Sequence, residues 1–152
     1  MKKSIVIANW KMNMGASDAH VLTTEVRNGL IGIAGVEVVL CPPSIWLSEA
    51  KQIIGDKKIS LGAQNMFYEP EGAYTGEISP MMIKDVADYV IVGHSERREY
   101  FGETDHDVNE KIISALRAGL IPIVCVGERK EKNNIVQAEK ILKLMNKLNN
   151  TL

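Results

Sequence analysis

The chain has 152 residues, 45% of them hydrophobic and 24% charged, with a formal net charge of −1 and an isoelectric point near 6.3. That length and balance predict one domain over residues 1–152 with a real apolar core, and they exclude a disordered or fibrous chain. A charge so close to zero gives no broad field for nucleic acid or an anionic membrane surface, so any anion site must be local.

The pattern then alternates between strand and helix, beginning with residues 5–10 as a β-branched first strand. The charged start followed by residues 4–8 superficially resembles a secretory leader, but the apolar run is too short and Lys11 follows it, so no targeting or membrane-crossing segment is expected. A helix is predicted over 17–30, capped by Ser17, with Val21, Leu22, Val26 and Leu30 on one face. Val36–Cys41 reads as the second strand; Pro42 and Pro43 stop it, and Ser44 can cap a helix carrying Ile45, Leu47, Ile53 and Ile54 up to Gly55. The third strand is 59–64. After a long polar loop over 65–78, Ser79 and Pro80 form a cap with proline at the first helical position.

Tyr89–Val92 is the fourth strand, and a helix from about Thr104 places Val108, Ile112, Ile113 and Leu116 on one face until Gly119. The fifth strand is 121–126, and the last helix, 134–148, carries a stripe from Ile135 to Leu148. Cys41 and Cys125 lie in or at the end of buried strands with no C-x-x-C spacing, so they read as reduced core residues of a cytoplasmic protein, with neither a disulfide nor a metal. Five βα units in succession predict an α/β fold with a parallel sheet. The loops at the carboxyl ends of such strands converge on one face, which brings Asn9, Lys11, His94 and Glu96 together as an electrophilic site that still needs a base.

The segments Ala8-Asn9-Trp10-Lys11-Met12-Asn13, Cys41-Pro42-Pro43, Gly62-Ala63-Gln64-Asn65-Met66, Gly72-Ala73-Tyr74-Thr75-Gly76-Glu77-Ile78-Ser79, the Gly93-His94-Ser95-Glu96-Arg97-Arg98 block through Thr104, and Pro122 to Glu128 resemble, in order, the N-terminal part of the triosephosphate isomerases. The resemblance implies a partial TIM (β/α)8 barrel, strands one to five of a fold that usually runs to about 250 residues. It implies interconversion of glyceraldehyde 3-phosphate and dihydroxyacetone phosphate through an enediolate, with no cofactor. Lys11 and His94 match the family's catalytic positions, with Glu96 beside them, and Asn9, Lys11 and Ser95 match substrate-contacting or positioning residues. The family is itself the standard example of an imidazole kept neutral by a helix N-terminus.

The same resemblance makes 65–78 an interface loop, with Thr75 at its tip and Tyr74, Gly76 and Glu77 around it, reaching into a second copy. Tyr68-Glu69-Pro70 resembles the start of the family's base motif, yet it lies inside this loop, so Glu69 is not the base. Asp105-x-Asp107-x-Asn109 echoes a calcium loop, but Glu110 stands where that loop needs glycine, and the segment reads as a helix start. Residues 129–134 depart from the family pattern.

Strands six to eight, with the catalytic glutamate, the lid and the phosphate loops, are expected to lie outside these 152 residues, on a separate polypeptide or lost by truncation. The enzyme reading therefore stands beside two others: a non-catalytic assembly or binding module, and an inactive relic. Five units alone would leave strands one and five unpaired, so the chain should seek a partner: a second copy, a complementary C-terminal chain, or both.

Overall fold

The computed structural model describes residues 4–55 and 59–127. Five strands, β1 (Ser4–Asn9), β2 (Val36–Cys41), β3 (Ile59–Ala63), β4 (Tyr89–Val92) and β5 (Ile121–Val124), form an all-parallel sheet in sequential order. Parallel neighbours need crossover connections, and helices supply them: α1 (Ala16–Gly29), α2 (Leu47–Ile54), α3 (Pro80–Lys84), α4 (Ser95–Tyr100) and α5 (Asp105–Arg117). The sheet curls into a half-barrel, a partial TIM barrel.

The pleat sorts each β-branched run into two cores. Leu40 of β2, Leu61 of β3, and Val90 and Val92 of β4 pack outward against Leu47, Ala50 and Ile54 of α2 and Val108, Ile112 and Ala115 of α5. The alternate residues Val39, Cys41, Tyr89 and Ile91 face the barrel interior with Ile123 and Cys125. Both cysteines are free thiols, and burial pushes the Cys41 thiol up to about 12. On the interior side Tyr89 of β4 donates its hydroxyl to Glu37 of β2, and that hydrogen bond, aided by burial, pushes the phenol to about 12. Between those strands lies Gly62 of β3, where a Cβ would stand 2.6 Å from Cys41 Sγ and 3.2 Å from Tyr89 Cβ. At the two margins of the described sheet, Ile5, Val6 and Ile7 of β1 and Ile121 of β5 are exposed.

Several predicted boundaries move. Helix α1 starts before Ser17, on Gly15, with no side-chain cap; Asp18 in its first turn complements the helix dipole instead. Its buried face is Ala19 and Thr23 rather than Val21, which is 49% exposed. Thr23 can be buried because its hydroxyl donates to Ala19 O at 2.6 Å. Ser44 caps no α-helix: it begins a 3-10 turn, Ser44–Trp46, closed by Trp46 N–H on Pro43 O, and Ile45 points to solvent while Ala50 takes a buried place. Ser79 does cap α3, and Thr104 caps α5 in a reciprocal box with Asp107, so the calcium-like spacing is a helix start. The third and fifth strands end one and two residues early. Residues 128–152, including the helix predicted over 134–148, lie outside the described residues.

Because Gly62 has no room for a methyl group, Gly62→Ala is expected to lower stability by about 1–3 kcal/mol through overpacking of the barrel interior. Urea unfolding would measure it, and an unchanged midpoint would show that the interior is looser than described.

Candidate active site

Three loops meet at the carboxyl rim of the sheet. The first leaves β1, where Trp10 N–H extends the β1–β2 ladder by bonding Cys41 O at 3.1 Å. Two residues in this loop, Lys11 (φ +55°) and Met14 (φ +78°), then adopt the left-handed conformation, at a cost of about 1–2 kcal/mol each for an L-residue. Side chains hold the turn. Asn9 Oδ1 accepts the Lys11 N–H at 3.0 Å, Asn13 donates to Trp10 O at 2.7 Å, and the Trp46 indole donates to Met14 O at 3.2 Å. From the end of β3, Gln64 Nε2 donates to Lys11 O at 2.9 Å and to Cys41 O at 2.8 Å.

The loop after β4 carries His94. Gly93 precedes it at φ +72°, and a Cβ there would lie 3.1 Å from Val108 and 3.2 Å from Arg98, so both conformation and space call for glycine. Its peptide groups are clamped by opposite charges: the N–H donates to Glu103 Oε2 at 3.1 Å, and the carbonyl accepts from Arg98 Nε at 3.0 Å. His94 caps α4, accepting the Glu96 N–H at Nδ1 over 3.3 Å. Glu96 Oε2 also lies 3.4 Å from Nδ1; in the tautomer whose Nδ1 accepts the amide, the ring proton sits on Nε2. Lys11 Nζ reaches Glu96 Oε1 at 2.7 Å. That hydrogen bond is the main reason the Glu96 carboxyl lies below its ordinary value. The rim thus offers an ammonium and an imidazole N–H for an oxygen that gains negative charge.

Beneath it lies a buried carboxylate. Glu103 would be pushed up by burial, but the hydrogen bonds and charges of Lys111 and Arg97 outweigh this and hold it below the usual carboxylate range. Lys111 donates to Glu103 and also, at 2.8 Å, to Asn65 Oδ1, and Arg97 Nε lies 3.2 Å from Glu103 Oε1. One carboxylate therefore connects β4's exit, α4 and α5, and through Lys111 it connects to the start of the 65–78 loop. That loop is ordered by Phe67 N–H on Ile78 O, by Ser114 on Tyr68 O, and by Phe67 stacking on Tyr68 and Tyr74 with ring centroids 4.4 and 4.6 Å apart.

Of the residues expected at the site, Asn9, Lys11, His94 and Glu96 come together. Ser95 opens α4, exposed, and makes no side-chain hydrogen bond to Lys11. Tyr74, Thr75, Gly76 and Glu77 form a separate exposed turn, closed by Glu77 N–H on Tyr74 O at 3.0 Å. Sequence reasoning assigned no part to Gln64, Arg98, Glu103 or Lys111. For Gln64 a signal existed, a carboxamide directly after a buried strand. Among the described residues no cluster of three His, Cys, Asp or Glu could hold a metal, and no helix is long and apolar enough to cross a membrane.

Comparison with known proteins gives a match to the triosephosphate isomerase family model over residues 4–151. The chain is 52% identical over 142 residues to the triosephosphate isomerase of Dehalococcoides mccartyi (strain CBDB1), covering 93% of this chain and 56% of the relative. It is 53% identical over 129 residues to that of Thermoanaerobacter pseudethanolicus, covering 84% and 52%, and 48% identical over 143 residues to that of Dictyoglomus thermophilum, covering 93% and 57%. The chain spans a little over half the length of these relatives.

The depressed Glu103 carboxyl has a sign that can be tested. Its contribution to stability is complete above its unfolded value of 4.5 and is lost as pH falls through its lower folded value. In Glu103→Gln the acid limb of stability against pH should flatten, and neutral-pH stability should fall by about 3–5 kcal/mol because Lys111 stays buried without its partner. Parallel curves for the two proteins in urea titrations would contradict this.

Proposed function

The chain belongs to the triosephosphate isomerase family, and from that premise we propose that its rim serves aldose–ketose interconversion of a phosphorylated triose. A carboxylate base takes the proton from the carbon beside the carbonyl; the C–H electron pair forms the new carbon–carbon double bond, and the carbonyl π pair moves to oxygen, giving an enediolate. The former carbonyl oxygen then gains a proton as the neighbouring hydroxyl loses its own, and reprotonation at the former carbonyl carbon, with the new C=O forming on the other, completes the exchange. Lys11 and the His94 Nε2–H stabilise the oxyanion, Glu96 holds the ammonium in place, and Asn9 fixes the backbone of the lysine and faces substrate. Ser95 contributes at the substrate-facing start of α4.

The base and the phosphate grip come from three further βα units, in the remainder of a longer chain or on a second polypeptide. The exposed apolar residues Ile5, Val6, Ile7 and Ile121 at the sheet margins support that reading, since paired neighbours would cover them. The observation that carries the proposal is the Lys11 ammonium, held 2.7 Å from Glu96 beside an imidazole whose Nδ1 is already occupied. A neutral Nε2–H is a donor suited to an enediolate.

A second observation supports a homodimer. The 65–78 loop is stiffened by its aromatic cluster and presents Tyr74, Thr75, Gly76 and Glu77 to solvent, and Met12, Tyr100 and Phe101 are exposed apolar side chains as well. We assign this loop as the dimer contact and the cytoplasm as the compartment, where Cys41 and Cys125 would stay reduced.

With the chain supplemented by strands six to eight, isomerisation of glyceraldehyde 3-phosphate should appear, and His94→Gln or Lys11→Met should lower its turnover by about 10²–10³-fold while assembly persists. Unchanged turnover would refute the assignment. Excising the turn at Thr75 should shift sedimentation toward the monomer, and an unaltered oligomer would refute the loop contact.

A further inference from the structure

Lys11 combines two properties that oppose each other. Its ammonium must stay at one point of the rim, yet its backbone is in the left-handed region, from which an L-residue relaxes readily if it is released. Its N–H is held by Asn9, at the end of the strand it follows. Its carbonyl is held from another strand, by Gln64.

The orientation of Gln64 is unambiguous. Both partners of its terminal group, Lys11 O and Cys41 O, are carbonyl oxygens that can only accept, so the NH2 end must face them and both its protons are used. Cys41 O also accepts the Trp10 N–H at 3.1 Å. Cys41 and Gln64 end or follow buried strands in the middle of the sheet, so the carboxamide ties the loop of β1 to the rigid rims of β2 and β3. The far end of the lysine reaches Glu96 on α4, beyond β4.

We propose that Gln64 is a positioning residue of the site: by fixing the Lys11 carbonyl it keeps the lysine left-handed and so sets the ammonium against Glu96. The assignment deepens the isomerase reading, in which Lys11 acts on the oxyanion, and gives that lysine a support three strands wide. Gln64 acts through Lys11 and reaches no substrate itself.

Glu96 reports the position of the ammonium without any turnover, because its depressed carboxyl depends chiefly on Lys11. Carbon-13 NMR titration of Glu96 should show its midpoint moving up in Gln64→Ala, toward that of Lys11→Met, with the Lys11 HN–Hα coupling changing as its φ leaves the left-handed region. A destabilised Gln64→Ala in which both signals keep their original values would overturn the proposal, since packing loss alone moves neither.

Should Gln64→Ala not fold, the unaltered chain still decides. The Gln64 carboxamide protons should exchange with solvent at least about tenfold more slowly than those of exposed Gln52, and equal rates would overturn the bonding on which the proposal rests. The isomerase reading fails separately. If the chain supplemented with strands six to eight shows no turnover while Glu96 still responds to Gln64→Ala, the positioning stands and the reaction assigned to the rim does not.

Discussion

A buried carboxylate is costly unless cations and hydrogen-bond donors surround it, and Glu103 is surrounded on every side that matters to the rim. Lys111 from α5, Arg97 from α4 and the Gly93 N–H at the exit of β4 converge on its two oxygens. Removing one of them weakens the compensation of a buried charge, so the carboxylate ties these three elements together. Lys111 extends the unit to Asn65, so the exposed 65–78 loop and the His94 loop share a single foundation.

On that foundation the rim tolerates unfavourable backbone. Gly93 and Lys11 both have positive φ, and each has its peptide groups held from two directions: Glu103 and Arg98 at Gly93, Asn9 and Gln64 at Lys11. Strain of about 1–2 kcal/mol at a left-handed L-residue persists only where the surroundings over-determine the conformation. Here the reward is placement, since the two loops bring an ammonium and an imidazole from strands far apart in sequence to opposite sides of Glu96. The sheet beneath is tightly packed at Gly62, where a methyl group would collide with Cys41.

The strands and the convergence of Asn9, Lys11, His94 and Glu96 were legible because both follow from local pattern. β-branched runs bounded by Pro, Gly and polar residues mark buried parallel strands, and residues just past their carboxyl ends must share a rim. The helix faces were less legible. Val21 and Ile45 fit the apolar period yet face solvent, while Thr23, polar by type, is buried once its hydroxyl finds Ala19 O. Ser44 has the chemistry of a cap, but the double proline before it favours a tight 3-10 turn. The supports of the site stayed hidden for a different reason: Glu103, Arg97, Arg98 and Lys111 look like solvated helix charges in sequence, and only the tertiary fold brings them together and buries two of them.

Nitrogen-15 NMR of His94 tests most directly whether the rim presents an imidazole Nε2–H beside the ammonium of Lys11. If Nδ1 accepts the Glu96 amide, the neutral ring shows an unprotonated Nδ1 and its single proton on Nε2. A proton found on Nδ1 would mean that the Glu96 amide is not bound there, and that the His94 loop is not built as a neutral donor toward substrate.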